Sequence, residues 1–320
     1  MTPQPFKLIR LPALALRNVL QFLNPIELFE LSQCSRRAFS VIPLSGSRKF
    51  NLRINERSTI SVNGHYFGTY NNSPLSENVL HGTRTFMEFT AKAYLHSEHE
   101  LVSFWDNRHV GLKAVLFHLS KVFDCAIDYA RFSDKIPAVI YMSIIDLISS
   151  RQSEIKDLTI WGDGLTDEYV TGIFDKLKVT DHLEMNYQYT VPRSIPFNTK
   201  SIVIWNSSWI TMEHLKSMNK CTVIQLYRST ITDPDMTLLL NDWKSGQYSN
   251  LQYLSIKSSF LSKTFTAFGL PSLTGDQSHE KTILGIEREI YRGVDVRRDD
   301  GVVGNIRFND KEGVLQILVL

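Results

Sequence analysis

The stretch from Phe6 to Pro43 reads FKLIRLPALALRNVLQFLNPIELFELSQCSRRAFSVIP, and the rest of the chain is read outward from it. Leu16, Val19, Leu20 and Leu23 recur at i, i+3, i+4 and i+7, which predicts one apolar face of a helix. Pro12 falls in its first turn, where no amide hydrogen bond is lost. Asn24-Pro25-Ile26-Glu27 stops that helix and starts another. Asn24 can cap it, Pro25 suits its first position, and Glu27 can reach back as a capping box. Leu28 and Leu31 continue the apolar face. Ser35 opens a third short helix, with Arg36 and Arg37 outside, Phe39 and Ile42 inside, and Pro43 at its end. Helices this short share a small core, so part of their apolar surface is expected to stay exposed until a partner covers it.

The 320 residues suffice for two or three domains, and a composition 43% hydrophobic and 21% charged is that of a folded globular chain. Lys+Arg 35 against Asp+Glu 33 leaves a net charge of +2. That balance argues against a nucleic-acid binder, which needs clustered positive charge to displace counterions from phosphates. Cys34, Cys125 and Cys221 are far apart and odd in number, so no disulfide framework or zinc knuckle follows from their spacing. A reducing compartment, cytosol or nucleus, is the natural reading, and in it the sequons at Asn71-Asn72-Ser73 and Asn206-Ser207-Ser208 are coincidental. The most apolar run, Ile136 to Ile148, is interrupted by Asp146 and falls short of the ~20 residues a membrane span needs. Lys7, Arg10 and Arg17 with no acid before Glu27 also match the pattern of a mitochondrial transit peptide. Pro12 and Pro25, placed at helix starts, favour folded helices instead.

From Lys49 to Tyr70 the apolar period changes to two, through Phe50, Leu52, Ile54, Ile60, Val62 and Phe67. Asn63-Gly64 between the alternations signals a hairpin. Asn71 to Gly82, with Pro74, reads as a loop, and Phe86 to Tyr94 as one further strand. Leu112, Val115, Leu116, Leu119 and Phe123 predict an amphipathic helix. Ile127 to Phe132 reads as a short strand, and Val139 to Ile148 as a buried helix ended by Ser149-Ser150.

A unit then recurs. Leu158-Thr159-Ile160-Trp161, a small-residue turn and Leu165-Thr166 lead into a helix; so do Ile202-Val203-Ile204-Trp205 with Ile210-Thr211, and Ile224-Gln225-Leu226-Tyr227 with Ile231-Thr232. Leu254-Ser255-Ile256 starts a decayed copy, and Leu183-Glu184-Met185 reads as a strand whose helix is replaced by the segment around Pro192 and Pro196. Thr166, Thr211, and Thr232 or Asp233 can cap the helices. Val170, Ile173, Phe174 and Leu177 make one apolar helix face; Met236, Leu239, Leu240 and Trp243 make another, between Pro234 and Gly246. Strand-turn-helix units at a period of roughly 20–30 residues are of the leucine-rich-repeat type, in which neighbours must stack to bury their faces. Asp300-Gly301, between Val294–Val296 and Val302–Phe308, signals a terminal hairpin, and Val314 to Leu320 a last buried strand. Thr274 to Lys281 reads as the most mobile loop.

The N-terminal pattern resembles the F-box, through Leu11-Pro12, Leu16, Val19-Leu20, Leu23, Pro25, Leu28, Leu31 and Cys34-Ser35-Arg36-Arg37. It departs at Ala38, where many F-boxes carry a bulky aromatic; Phe39 follows one position later. The run Leu238 to Gly246 with Asn250 to Leu254 resembles the second type of F-box-associated domain, abundant in nematode F-box proteins, and Val294 to Gly301 resembles the close of such proteins. The resemblance implies a substrate receptor that docks on a Skp-family adaptor and, through it, a cullin ubiquitin ligase. Leu11, Pro12, Leu16, Leu20, Leu23, Pro25, Leu28 and Leu31 are then the adaptor-docking surface and its supporting core.

Nothing in the sequence asks for catalysis, a cofactor or a metal. Gly162-Asp163-Gly164 imitates a dinucleotide fingerprint, but its third glycine position is Asp167, and Asp163 would face the pyrophosphate. His96-Ser97-Glu98-His99-Glu100 lacks the spacing of a zinc helix and reads as a polar turn. Asp233-Pro234-Asp235 is a helix start, and no Walker loop or nucleophile elbow occurs. One row does call for a use. If Leu158/Ile160, Ile202/Ile204 and Ile224/Leu226 face inward, Trp161, Trp205 and Tyr227 share the opposite parity. Such a row is either a protein-recognition surface, where Trp and Tyr dominate binding energy, or core covered by loops or terminal strands.

The expected architecture is therefore α+β and multidomain. A three-helix F-box over 6–46 is followed by a mixed strand/helix linker domain over 47–150. An F-box-associated, leucine-rich-repeat-like substrate-recognition domain over 151–320 ends in a β-hairpin. The expected function is a non-enzymatic, cytoplasmic or nuclear substrate-recognition subunit of a Skp–cullin–F-box ligase, with an unknown protein target and neither nucleic acid nor membrane as partner. The competing readings are a leucine-rich-repeat-like interaction scaffold not coupled to ubiquitination, whose N-terminal helices cap the solenoid, and a hydrolase or nucleotide enzyme with an unrecognised site.

Overall fold

Three helices form where the N-terminal pattern predicts them. α1 (Ala13–Phe22) follows Pro12 and buries Leu16 and Leu20. α2 (Pro25–Gln33) begins with the expected capping box: Asn24 Oδ1 accepts from the N–H groups of Ile26 and Glu27 (2.9 Å each), and Glu27 Oε2 accepts from the N–H of Asn24 (2.8 Å). A cap of this kind contributes about 1 kcal/mol. α3 (Arg36–Val41) starts on Ser35, whose Oγ accepts from Ala38 N–H at 3.0 Å. Two expectations need correction here. Pro43 does not end the helical path, because residues 42–45 and 47–49 continue as 3-10 turns about Gly46 at φ 86°. Phe39 is only half-buried, and the small Ala38 is fully buried.

The computed structural model describes residues 8–55, 59–72, 82–132, 136–161, 164–190, 195, 197–269 and 278–320. Phe6, Ser73, Pro74, Gly162-Asp163, Pro192, Pro196 and the first part of Thr274–Lys281 therefore lie outside the described residues. The chain divides into two units, residues 1–155 with 162–164, and residues 156–161 with 165–320.

In the first unit, β1 (Leu52–Asn55), β2 (Thr59–Val62) and β3 (His65–Asn71) form an antiparallel meander. Asn63 and Gly64 join β2 to β3 with φ of 46° and 82°, the all-positive pair of a type I′ turn. The single strand expected over Phe86–Tyr94 is two, β4 (Thr83–Phe86) and β5 (Phe89–Ser97), reversing at Met87 (φ 58°). No glycine or proline marks that turn; the N–H of Met87 is held by His118 Nδ1 at 3.1 Å. β6 (Glu100–Trp105), α4 (Arg108–Phe123), β7 (Ile127–Ala130) and α5 (Ala138–Arg151) complete the unit, with strand order β7-β1-β2-β3-β6-β5-β4. α4 lies over β2, β3, β4 and β6 and touches α2.

The boundary expected at residue 46 is not a break in packing. Phe29 of α2 is fully buried, stacked on Phe86 (5.4 Å, 18°) and edge-on to Phe67 (5.6 Å) and His118 (5.6 Å). Ser47 Oγ donates to Phe123 O at 2.7 Å, and Phe50 meets the Phe123 ring. Three short helices cannot bury their own inner face, so they share the core of the sheet and α4.

Gly111 shows how closely α4 sits on β6: a Cβ there would lie 2.5 Å from the Trp105 indole. Gly→Ala in a helix ordinarily stabilises by about 1 kcal/mol. Gly111→Ala is instead expected to destabilise by about 1–3 kcal/mol, the cost of overpacking, and a urea melt of the variant that is unchanged or more stable would refute this.

In the second unit, β8 (Glu154–Ile160) leads to α6 (Asp167–Lys176), and β9 (Lys178–Met185) to β10 (Ser201–Ile204) without a helix between them among the described residues. α7 (Met212–Ser217), β11 (Val223–Ser229), α8 (Asp233–Lys244) and β12 (Tyr253–Ser258) follow. β9 to β12 are parallel, and the register aligns Leu183, Ile202, Ile224 and Leu254 in one rung and Met185, Ile204, Leu226 and Ile256 in another, all buried. Thr166 Oγ1 accepts from Tyr169 N–H at 3.3 Å. The next two helix starts close differently: His214 Nδ1 accepts from Thr211 N–H (3.1 Å), and Asp235 Oδ2 accepts from both the N–H (3.0 Å) and O–H (2.6 Å) of Thr232. After β12 the described residues show a 3-10 turn at Ala267–Gly269 and no α-helix among them.

The expected mobile loop is in part a strand. β13 (Ser278–Ile283) pairs with β14 (Ile286–Tyr291), and their Ile283 and Ile290 share a buried cluster with Val223, Tyr253 and Leu318. Five polar residues, Ser278 to Thr282, precede the one buried side chain of β13, Ile283, so no apolar alternation marked the strand. β15 (Val294–Arg297), β16 (Val303–Asn309) and β17 (Val314–Val319) then run antiparallel, with β17 on β12. The Asp300-Gly301 turn joins β15 to β16. Arg298, its side chain 3% exposed, pairs with the Asp300 carboxylate and lies over Trp243. Hydrogen bonds from Arg298 and the Val302 N–H hold the Asp300 carboxyl below its ordinary range.

Candidate functional surfaces

α1 is apolar over more of its circumference than its core needs. At about 100° per residue, Ala15, Val19 and Phe22 fall in one arc beside the buried Leu16 and Leu20, and Leu14 lies about 80° beyond Phe22, past Asn18. Phe22 is 90% exposed and Leu14 71%; Val19 and Leu44 are exposed too. Leaving a phenyl ring in water forgoes about 1.5–3 kcal/mol of burial, which makes this arc a candidate docking surface.

The expected docking residues divide into two sets. Leu16, Leu20, Pro25 and Leu28 are buried and form the support. Pro12 is exposed, and Leu11, Leu23 and Leu31 are half-buried, within reach of a partner. Leu14 and Phe22 were not among the expected residues. Both lie outside the i, i+3, i+4 stripe that marks the core, and only a full helical wheel of α1 reveals them.

The row inferred from strand parity is assembled. Trp205 stacks on Tyr227 (4.6 Å, 11°) and meets Trp161 at right angles (6.3 Å, 89°). Trp205 Nε1 donates to Glu184 Oε1 at 2.8 Å, and Gln225 Nε2 donates to the Tyr227 hydroxyl at 3.2 Å. Beside the rings runs a polar ladder: Asn206 Nδ2 donates to Asn186 Oδ1 (2.8 Å), and Arg228 Nη1 to Asn206 Oδ1 (3.0 Å). Of the two arrangements left open by the sequence, neither holds in full. Trp205 is 38% exposed, while Trp161 and Tyr227 are half-buried. The β13–β14 hairpin covers the adjoining part of the same face, over Val223 and Tyr253, and Arg288 lies over the Tyr253 ring at 4.9 Å.

His96 to Glu100 form the β5–β6 turn, where His99 Nδ1 meets His65 Nε2 at 3.2 Å, and no cluster of three or more metal-capable groups occurs among the described residues. Burial pushes the Cys125 and Cys221 thiols up to about 12, so neither is a nucleophile at neutral pH. Among the described residues no helix is long and apolar enough to cross a membrane.

A helical module with a buried core and an exposed apolar arc thus precedes, along the chain, an α/β unit with a half-open aromatic row. The comparisons make this specific. Residues 8–49 match the F-box domain family, and residues 191–256 match the family described as F-box associated. The Skn-1 dependent zygotic transcript 15 protein of Caenorhabditis elegans is 25% identical over 153 residues, which span 45% of this chain and 44% of that protein. The chain thus spans less than half the length of this curated relative. No solved structure matches. The chain thus carries an F-box match at its N-terminus and an F-box-associated match behind it, the arrangement of nematode-type F-box proteins, and the curated relative is itself from a nematode. At the level of the family, these domains suggest substrate-recognition subunits of Skp–cullin–F-box ligases, typically receptors rather than enzymes, and F-box domains bind the Skp adaptor.

Proposed function

We propose that this chain is the substrate-recognition subunit of a Skp–cullin–F-box ubiquitin ligase. It docks a Skp-family adaptor, and through it a cullin, on the α1 arc, and holds a target protein on the Trp161–Trp205–Tyr227 row. The exposed Phe22 and Leu14, on a helix within the F-box match, carry the docking half of this reading. The half-open aromatic row carries the other half, since stacked aromatics lose little conformational freedom on binding. The parallel strands with a helix after β8, β10 and β11 support a leucine-rich-repeat-like reading of the second unit. Ubiquitin transfer then follows from holding the target close to the ligase's charged enzyme, and the chain itself contributes no chemistry, in the cytosol or the nucleus.

Proximity labelling tests the two halves separately. In Trp205→Ala/Tyr227→Ala, target labelling is expected to fall roughly 30-fold or more, the effect of losing a binding hot spot, while adaptor labelling persists. In Leu14→Asp/Phe22→Asp the adaptor is lost and targets remain. A row variant with an unchanged set of neighbours would remove the aromatic row from the account.

A further inference from the structure

We infer that the docking helices are oriented by residues outside the F-box, above all Arg84, which fix α2 on β4 and α4. The identity of the docked partner rests on the function proposed above; the joint itself does not.

Three contacts of different kinds meet on one flank of α2. Arg84 Nε donates to both carboxylate oxygens of Glu30 (2.8 and 2.9 Å), while its Nη1 donates to Thr83 O (3.0 Å). One turn on, Gln33 Oε1 accepts from Thr85 N–H at 3.0 Å, and Gln33 Nε2 lies 3.1 Å from His118 Nε2. The other ring nitrogen of His118 accepts from Met87 N–H. Beneath these polar contacts Phe29 is enclosed by Phe67, Phe86 and His118.

β4 is an edge strand of its sheet, and the Thr85 N–H is one of the donors such an edge leaves unpaired. Gln33 supplies the acceptor, so α2 closes the edge. The Glu30–Arg84 pair is partly solvated, with side-chain exposures of 36% and 25%, and pairs of that kind add little to stability. Its use is directional. Phe29 alone would let α2 pivot about one ring, whereas an ion pair and an amide bridge a turn apart fix the helix axis. α1, which carries Leu14 and Phe22, is joined to α2 through Leu23 and the Asn24 cap and packs on the 3-10 turn at 42–45, which itself touches α3 and α4, so its direction follows from the same base.

The test uses the full chain. Cys34 at the end of α2 is exposed and Cys125 and Cys221 are buried, so a spin label on Cys34 can be paired with one on Glu98→Cys, at the far end of β5. Pulsed electron resonance is expected to give one narrow distance. Arg84→Glu or Glu30→Arg should broaden it and weaken binding of purified Skp-family adaptor about fivefold, and the charge-swapped double variant should restore both. Gln33→Ala, a milder change, should broaden the distance while leaving the urea midpoint within error. A purely structural pair would show loss of stability without the broadening, or no rescue by the swap. Narrow, unchanged distances and unchanged adaptor affinity in the single variants would overturn the inference. If the wild-type chain binds no adaptor, the receptor reading fails, and the distances still decide the joint.

Discussion

Phe29→Ala is expected to destabilise the first unit by about 3–5 kcal/mol, the range for emptying a buried phenylalanine site. Phe29 is fully buried, and its three ring neighbours come from β3, β4 and α4, so the cavity cannot close by moving a single element. The variant should lose adaptor binding as well, because the base under α1 loosens. Phe29→Leu keeps most of the volume and should cost less than half as much. Denaturant melts read both, and a loss below 1 kcal/mol for the alanine variant would mean that the helices do not share the sheet's core.

The second large effect is acid destabilisation through His118. Burial first, and Lys121 second, lower its pKa from 6.5 to about 4, so the ring is neutral in the folded protein at pH 7. In the unfolded chain the ring takes its proton near 6.5. Between these values the unfolded state binds more protons than the folded one, so its contribution is complete above pH ~6.5 and is lost as the pH falls towards ~4. The span corresponds to roughly 3 kcal/mol at most. Stability of the wild type and of His118→Gln should therefore diverge in slope over this window, the variant being flatter. Parallel slopes would show that His118 does not titrate with folding.

How much of this was legible in the sequence depended on the range of the forces involved. Asn24, Pro25 and Glu27 act within one helical turn, and Asn63-Gly64 within one hairpin, so both could be read in full. The strand-turn-helix repeat could also be read, because its parity and caps are local, and parity placed Trp161, Trp205 and Tyr227 side by side. Long-range contacts were silent. Glu30–Arg84 and Ser47–Phe123 join residues 54 and 76 positions apart, and no local pattern announces them. The N-terminal helices therefore looked like a separable plug. For the same reason β13, polar up to Thr282 and anchored through Ile283 alone, passed for a loop.

The shared core also changes what a deletion experiment can say. If the N-terminal helices merely cap a solenoid, removing Met1 to Pro43 should unfold the remainder. With Phe67, Phe86 and His118 packed on Phe29, the first unit should unfold under either reading. Surface substitutions that spare the core are needed instead, and Leu14 and Phe22 provide them.

The central claim is that the exposed arc of α1 couples this chain to a ligase adaptor. Titration of the purified full chain with a purified Skp-family adaptor by calorimetry tests it most directly. One-to-one binding is expected, with a negative heat-capacity change from apolar burial. Leu14→Asp/Phe22→Asp should weaken it at least a hundredfold while leaving the melting temperature unchanged. No binding by the wild type, or equal binding by the variant, would contradict the account.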